Sequence, residues 1–246
     1  MFFAGLLFTA SCGQQPSDQL TIAAAANMQY AIEELTRVFS EESGIPCEVV
    51  ISSSGKLTAQ VVGGAPFDAL LSADMKYPRL LFEKGLTLDE PMTYAYGNLV
   101  LWTLKDGIAP GIESLSGDRV KYIALGNPKT APYGISAMQV IQKSGNSEDI
   151  RGKLVFGESI SQTNQFIISK VADIGFTSKS VVLSPGMKDR GTWKQVDRSL
   201  YDPIAQGIVI LNSRDQFQKE AMQFRDFLLS VKGKEILYKF GYEVEN

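Results

Sequence analysis

Hydrophobic and polar positions alternate between two periods along most of the chain. The stretch Leu20 to Phe39 (LTIAAAANMQYAIEELTRVF) opens as a buried strand and passes through a loop of small residues. It then becomes helical, with Met28, Ala31, Ile32, Leu35, Val38 and Phe39 on one face and Gln29, Glu33, Glu34 and Arg37 on the other. Asn27 precedes this run and is the predicted N-cap. Further strands are predicted over Cys47 to Ile51, Phe67 to Leu71, Met92 to Tyr96, Leu99 to Leu104, Val120 to Leu125, Lys153 to Phe156, Ile174 to Thr177 and Ile208 to Leu211. Between them the period predicts a short helix burying Leu57, Val61 and Val62, one around Tyr77 to Glu83, and one presenting Ile135, Met138 and Ile141. Helices over Gln162 to Val171, Asp215 to Leu229 and about Gly233 to Phe240 complete the set, the last closed by Gly241. Val181 to Arg198 gives only weak signals. Such alternation specifies parallel α/β architecture. Gly97-Asn98 and the segment Asp202 to Gly207 interrupt it, and each is expected to cross between two lobes.

Four strand-loop-helix junctions share one chemistry. They end at Asn27, at Ser54-Gly55, at Tyr133-Gly134 and at Ile160-Ser161, and their loops are rich in small or polar residues. Each lies at the C-terminal end of a strand, where open α/β sheets bind ligands. One such junction is an ordinary helix cap. Several aimed at one point would form an anion seat, because each helix N-terminus behaves as roughly half a positive charge at short range. Charge-assisted hydrogen bonds would add about 1.5–3 kcal/mol each.

Composition narrows the chemistry. The chain has 246 residues, 44% of them hydrophobic, enough for a sizeable core. A net charge of −3 argues against a nucleic-acid surface or a polybasic membrane patch. With no histidine, a Ser-His-Asp triad and histidine-based metal sites are excluded, and two cysteines do not make a structural zinc site. Ser53-x-x-Lys56 matches a serine acyl-enzyme signature, with Ser53 or Ser54 as nucleophile, but lacks its Ser-Asp-Asn and Lys-Thr-Gly partners. Asp68, Asp74 and Asp173 are expected as cap or surface carboxylates near strand ends. Trp102 and Trp193 are expected to pack in a lobe, Cys47 as a small buried hydrophobe, and Lys56 and Lys129 as exposed neighbours of two of the loops.

Residues 1–12 (MFFAGLLFTASC) resemble the end of a secretion signal, with an apolar run too short to span a membrane. Thr9-Ala10-Ser11-Cys12 resembles a lipobox with Thr9 in place of the usual Leu, so Cys12 is the expected lipidation site. No basic residue precedes Arg37, which places the expected start of a full signal upstream. Residues 1–18 then form a signal and polar tether.

Taken in order, LTIAAAAN (20–27), SSSGK (52–56), Gly64-Ala65-Pro66, Ser72-Ala73-Asp74, Gly126-Asn127-Pro128 with Pro132-Tyr133-Gly134, and VKGKEILYKFGY (231–242) resemble the periplasmic molybdate-binding proteins of ABC importers. The resemblance implies a two-lobed periplasmic-binding-protein fold of type II, each lobe a mixed, mostly parallel sheet flanked by helices. Lobe 1 would comprise 19–97 plus 205–246 and lobe 2 98–204, with a tetrahedral oxyanion in the cleft. It implies ligand contacts at Asn27, Ser54, Tyr133, Ile160 and Ser178. The family's first serine is Asn27 here and its tyrosine is Ser178. The metal would enter only as the centre of molybdate or tungstate, with no cofactor, no catalysis and no nucleic acid. The implied partner is an inner-membrane ABC permease, and the implied form a monomer, lipid-anchored in the periplasm. A soluble periplasmic or Gram-positive surface protein, a different oxyanion (sulfate, thiosulfate or a phosphonate), a signalling module and a surface serine hydrolase are the alternatives.

Overall fold

A computed structural model describes residues 18–145 and 147–244; Cys12 and nearly all of the tether lie outside them. The chain forms β1 (Leu20–Ala25), α1 (Gln29–Ser43), β2 (Cys47–Ser52), α2 (Ser54–Val62), β3 (Ala69–Ser72), α3 (Lys76–Glu83) and β4 (Met92–Gly97). It continues through β5 (Leu99–Thr103), β6 (Ile123–Gly126), α4 (Pro132–Lys143), α5 (Ser147–Ile150), β7 (Leu154–Gly157), α6 (Ile160–Ile168), β8 (Ile174–Ser178), α7 (Lys179–Val182) and β9 (Thr192–Gln195). It ends with β10 (Ile204–Ile210), α8 (Gln218–Leu229) and α9 (Val231–Lys239).

These strands make two five-stranded sheets, ordered β2-β1-β3-β10-β4 and β7-β6-β8-β5-β9. In the first, β1 is parallel to β2 and β3, and β10 is antiparallel to β3 and β4. In the second, β6 is parallel to β7 and β8, while β5 runs antiparallel to β8 and β9. The chain therefore passes from the first sheet to the second at Asn98 and returns between Gln195 and Ile204.

Strand alternation explains how the first sheet carries helices on both faces. Leu20, Ile22 and Ala24 pack with Phe39, Phe224 and Leu237, from α1, α8 and α9. Ala23, Leu70 and Val209 point the other way, onto Leu57 and Val61 of α2 and Leu81 of α3. The second core gathers Trp102, Leu125, Val140, Ile167 and Phe176, and it also includes Ala25, Ala26 and Ala73 from the first sheet's strand ends. The two layers therefore meet where β1 and β3 end.

Several expectations shift. Val62 is 48% exposed, so α2 buries Leu57 and Val61 but not Val62. The buried face of α4 runs through Tyr133, Ala137, Val140 and Ile141, leaving Ile135 and Met138 partly exposed, because Gly134 backs onto Gly126 and sets the helix rotation. The weak segment contains β9, an edge strand whose Trp193 lies opposite the fully buried Trp102. β10 begins earlier than its apolar run, because Gln206 sits inside the strand. Cys47 is only half-buried.

Asp68 and Asp173 are buried clamps rather than surface carboxylates. Asp68 accepts the Thr21 amide at 2.6 Å and pairs with Arg214, fixing the start of β1 to the end of β10. Asp173 pairs with Lys105 and accepts the amides of Lys121 and Tyr122 at 2.6 and 2.7 Å. Burial pushes its carboxyl up, but Lys105 and the two amides outweigh that and hold it below the usual range. Removing one partner strands the other in a dry setting. Asp68→Ala should therefore lose about 3–5 kcal/mol of stability, read as a lower urea midpoint with an unchanged m-value.

Candidate functional site

One small pocket lies where the two layers meet. It is lined by Ala25, Ala26 and Asn27 after β1, Ser53 and Ser54 after β2, Ala73 after β3, Ala131, Pro132 and Tyr133 opening α4, and Ile160 opening α6. The four expected junctions thus converge, two from each sheet. The cavity is small, about 10 Å³, room for the centre of about one water-sized sphere.

The approach of so much backbone to one point depends on small side chains. Alanines at 25, 26, 73 and 131 leave the wall largely main chain. Gly55 allows α2 to meet the opposite layer, since a Cβ there would stand 3.0 Å from Thr130 Cα, and its N–H donates to the Thr130 carbonyl at 3.0 Å. Tyr133 and Ile160 lie in the first turns of α4 and α6, where backbone N–H groups have no partner within the helix.

No lining residue carries a charge. Lys56 turns away to pair with Glu158 at 2.7 Å, so it is not placed as a base for Ser53. Lys129 is exposed. Among the described residues no cluster of histidine, cysteine, aspartate or glutamate could hold a metal ion. What the pocket offers is a set of neutral dipoles, suited to an anion with several acceptor oxygens.

The site side chains have distinct partners. Ser54 Oγ accepts the Ala73 amide at 3.0 Å, keeping its own O–H to donate. Ser53, its neighbour and not an expected contact, is 3% exposed, and its Oγ has no partner. The sequence signal for it was the serine run itself, in which Ser53 holds the N-cap position of α2. Asn27 does not cap α1. It lies within a 3-10 turn, Ala26–Met28, because its Nδ2 is committed to Gln206 Oε1 and the Tyr242 hydroxyl, both at 2.9 Å. Asn27 Oδ1 has no partner. Ser178 is not part of the lining. Its Oγ shares a 2.8 Å hydrogen bond with Ser180 Oγ, which donates to the Asn27 carbonyl at 2.6 Å. Behind the pocket, burial raises the phenols of Tyr94, Tyr133 and Tyr242, so all three remain neutral.

Contacts span the cleft around the pocket. Besides Gly55 to Thr130 and Lys56 to Glu158, Ser161 Oγ donates to Gln29 Oε1 at 2.7 Å and Tyr77 donates to the Lys129 carbonyl at 3.3 Å. At the crossovers, Asn98 Oδ1 accepts from Gln195 Nε2 at 3.2 Å and Arg198 Nη2 at 2.6 Å, while its Nδ2 reaches the Gly241 carbonyl.

Two sheet layers, linked by two crossovers and closed over a small uncharged pocket, define a solute-binding protein. The chain belongs to the bacterial extracellular solute-binding proteins, whose family pattern matches residues 20–243. It is 34% identical over 244 residues to the molybdate-binding protein ModA of Azotobacter vinelandii, covering 98% of this chain and 95% of that protein. It is also 34% identical over 242 residues to the ModA of Rhodobacter capsulatus, covering 98% and 92%. The solved structure of the Azotobacter vinelandii periplasmic molybdate-binding protein superposes with a TM-score of 0.88 at 31% identity, covering 93% of this chain and all of that one. The fold is accordingly the two-lobed periplasmic-binding-protein fold expected from the sequence.

The two serines should separate in stability. Ser54→Ala leaves the buried Ala73 amide unpaired and should cost about 1–3 kcal/mol. Ser53→Ala removes a hydroxyl that has no partner and should leave the thermal midpoint unchanged or higher.

Proposed function

We propose that the protein captures molybdate, and also tungstate, outside the cytoplasm and presents it to an ABC transporter permease. The observation that carries this reading is the uncharged pocket in which four junctions, two from each sheet, meet around unpartnered polar side-chain atoms. A tetrahedral dianion has acceptors in every direction and needs donors from all sides. In this reading the amides of Tyr133 and Ile160 serve it from one side, and Asn27, Ser54 and the newly found Ser53 from the other. Ser178 acts one step removed, through Ser180. The similarity to molybdate-binding relatives supports the choice of ion, and selectivity against the smaller sulfate would rest on how the completed shell fits the larger ion.

Binding proceeds by hinge closure. Lobe 1 (19–97 plus 205–246) and lobe 2 (98–204) swing about the crossovers near Asn98 and Ile204. One lobe binds first, and the other completes the shell and excludes water. No bond of the ligand is made or broken. The protein acts as a monomer. Cys12 tethers it to a membrane.

A thermal-shift panel tests the reading. Molybdate and tungstate at 100 times their Kd should add about 2.7 kcal/mol of apparent stability, while sulfate at the same concentration should shift the midpoint far less. A protein that responds to none of the oxyanions would overturn it. Ser53→Ala should weaken molybdate by about 1.5–3 kcal/mol, roughly 10- to 150-fold, measured by calorimetry.

A further inference from the structure

Behind the pocket, one buried polar network has an internal conflict. Asn27 and Gln206 are 1% and 0% exposed. Asn27 Nδ2 donates to Gln206 Oε1, which also accepts the Tyr94 hydroxyl at 3.3 Å. Gln206 Nε2 donates to the Tyr133 hydroxyl oxygen at 3.5 Å. Tyr242 donates to the Asn27 carbonyl at 2.9 Å, beside Ser180. With Nδ2 held on this side, the part of the Asn27 amide left for the ligand is its acceptor, Oδ1. A fully deprotonated oxyanion is itself all acceptor, so this arrangement repels the ion.

A half-turn of the Asn27 amide exchanges donor for acceptor without changing shape. Made alone, it sets Oδ1 against Gln206 Oε1, acceptor on acceptor. Made together with a half-turn of Gln206, it pairs both amides again and gives up one bond, that from Tyr242 to the Asn27 carbonyl. Gln206 Nε2 then donates to Asn27 Oδ1 and to the Tyr94 oxygen, and Gln206 Oε1 accepts the Tyr133 hydroxyl. Tyr242 redirects its proton to Asn27 Oδ1, while Ser180 keeps the Asn27 carbonyl. Hydroxyls make this possible, since each can donate or accept by rotating.

The backbone places Gln206 for such a role. It stands at a register shift between β10 and β4, where Gln206 faces Ala95 but Gly207 faces Thr93, and a bulge of this kind re-aims a side chain. Gly97 on β4 leaves it room, since a Cβ there would lie 2.6 Å from Gln206 Nε2.

We propose that Asn27 and Gln206 are a coupled amide pair, in which Gln206 is a positioning residue that sets whether Asn27 presents a donor or an acceptor to the ligand. This rests on the pocket being an oxyanion site. The donor setting takes an anion with no proton, such as molybdate. The acceptor setting suits a tetrahedral anion that keeps an O–H, such as hydrogen phosphate.

The test is a calorimetric cycle with molybdate on the full chain: wild type, Gln206→Met, Asn27→Ser and the double variant. Gln206→Met should weaken binding ~10-fold in the wild-type background. In the Asn27→Ser background, where a rotatable hydroxyl replaces the amide, it should weaken binding less than ~2-fold, the difference being the coupling. Equal losses in both backgrounds would reduce Gln206 to a packing role and overturn the proposal, as would no loss in either. Should Gln206→Met fail to fold, side-chain amide NMR of the wild type decides. Molybdate should shift the Asn27 and Gln206 amide resonances together, and movement of Asn27 alone would overturn the coupling. A wild type that binds no oxyanion would overturn the oxyanion reading itself, whereas binding without coupling overturns only the pair.

Discussion

A pocket with no charge can attract an ion only through dipoles, and dipoles act only at contact. The field of a helix end fades within its first turn, so each contributing backbone must arrive at the same few ångströms. That constraint accounts for much of the molecule. It requires strand ends from two sheets to face one another, which requires the chain to cross between them twice. It requires the walls to be thin, which is why alanine fills positions 25, 26, 73 and 131 and glycine stands at 55. It also requires anchors elsewhere to be strong, and Asp68 and Asp173 pin strand starts at the far ends of their sheets.

Much of this was legible in the sequence because it follows from local rules. Period changes located nearly every strand and helix, and Gly97-Asn98 interrupted the pattern where the chain leaves the first sheet, whereas residues 204–207, expected in the return crossing, already belong to β10. The convergence of four junctions followed from the rule that α/β sheets bind at their strand ends. What escaped depended on partners distant in sequence. Asn27 looked like a cap because nothing nearby shows that Tyr242 and Gln206 take its amide. β9 was missed because an exposed edge strand needs little hydrophobic pattern, and Trp193 becomes meaningful only opposite Trp102.

The site was legible to the junction but not to the atom. Ser53 and Ser54 are adjacent and chemically identical, and only the Ala73 amide, nineteen positions beyond Ser54, separates their roles. Gln206 did leave a trace, as a lone amide inside the otherwise apolar IAQGIVI (204–210). A polar side chain in a strand buried on both faces must have a partner, and the partner here stands beside the pocket.

The contacts bridging the cleft are made by protein groups alone: Gly55 to Thr130, Ser161 to Gln29, Tyr77 to Lys129, Lys56 to Glu158. Whatever they contribute to closure, they contribute equally for every ligand. Under the proposed hinge closure they would shift the population toward a closed form and so raise all affinities by one common factor, leaving the ratio between two ions untouched. Tightness and selectivity would then fall to different parts of the molecule, and substitutions at the rim would tune how long an ion is held without changing which ion is chosen.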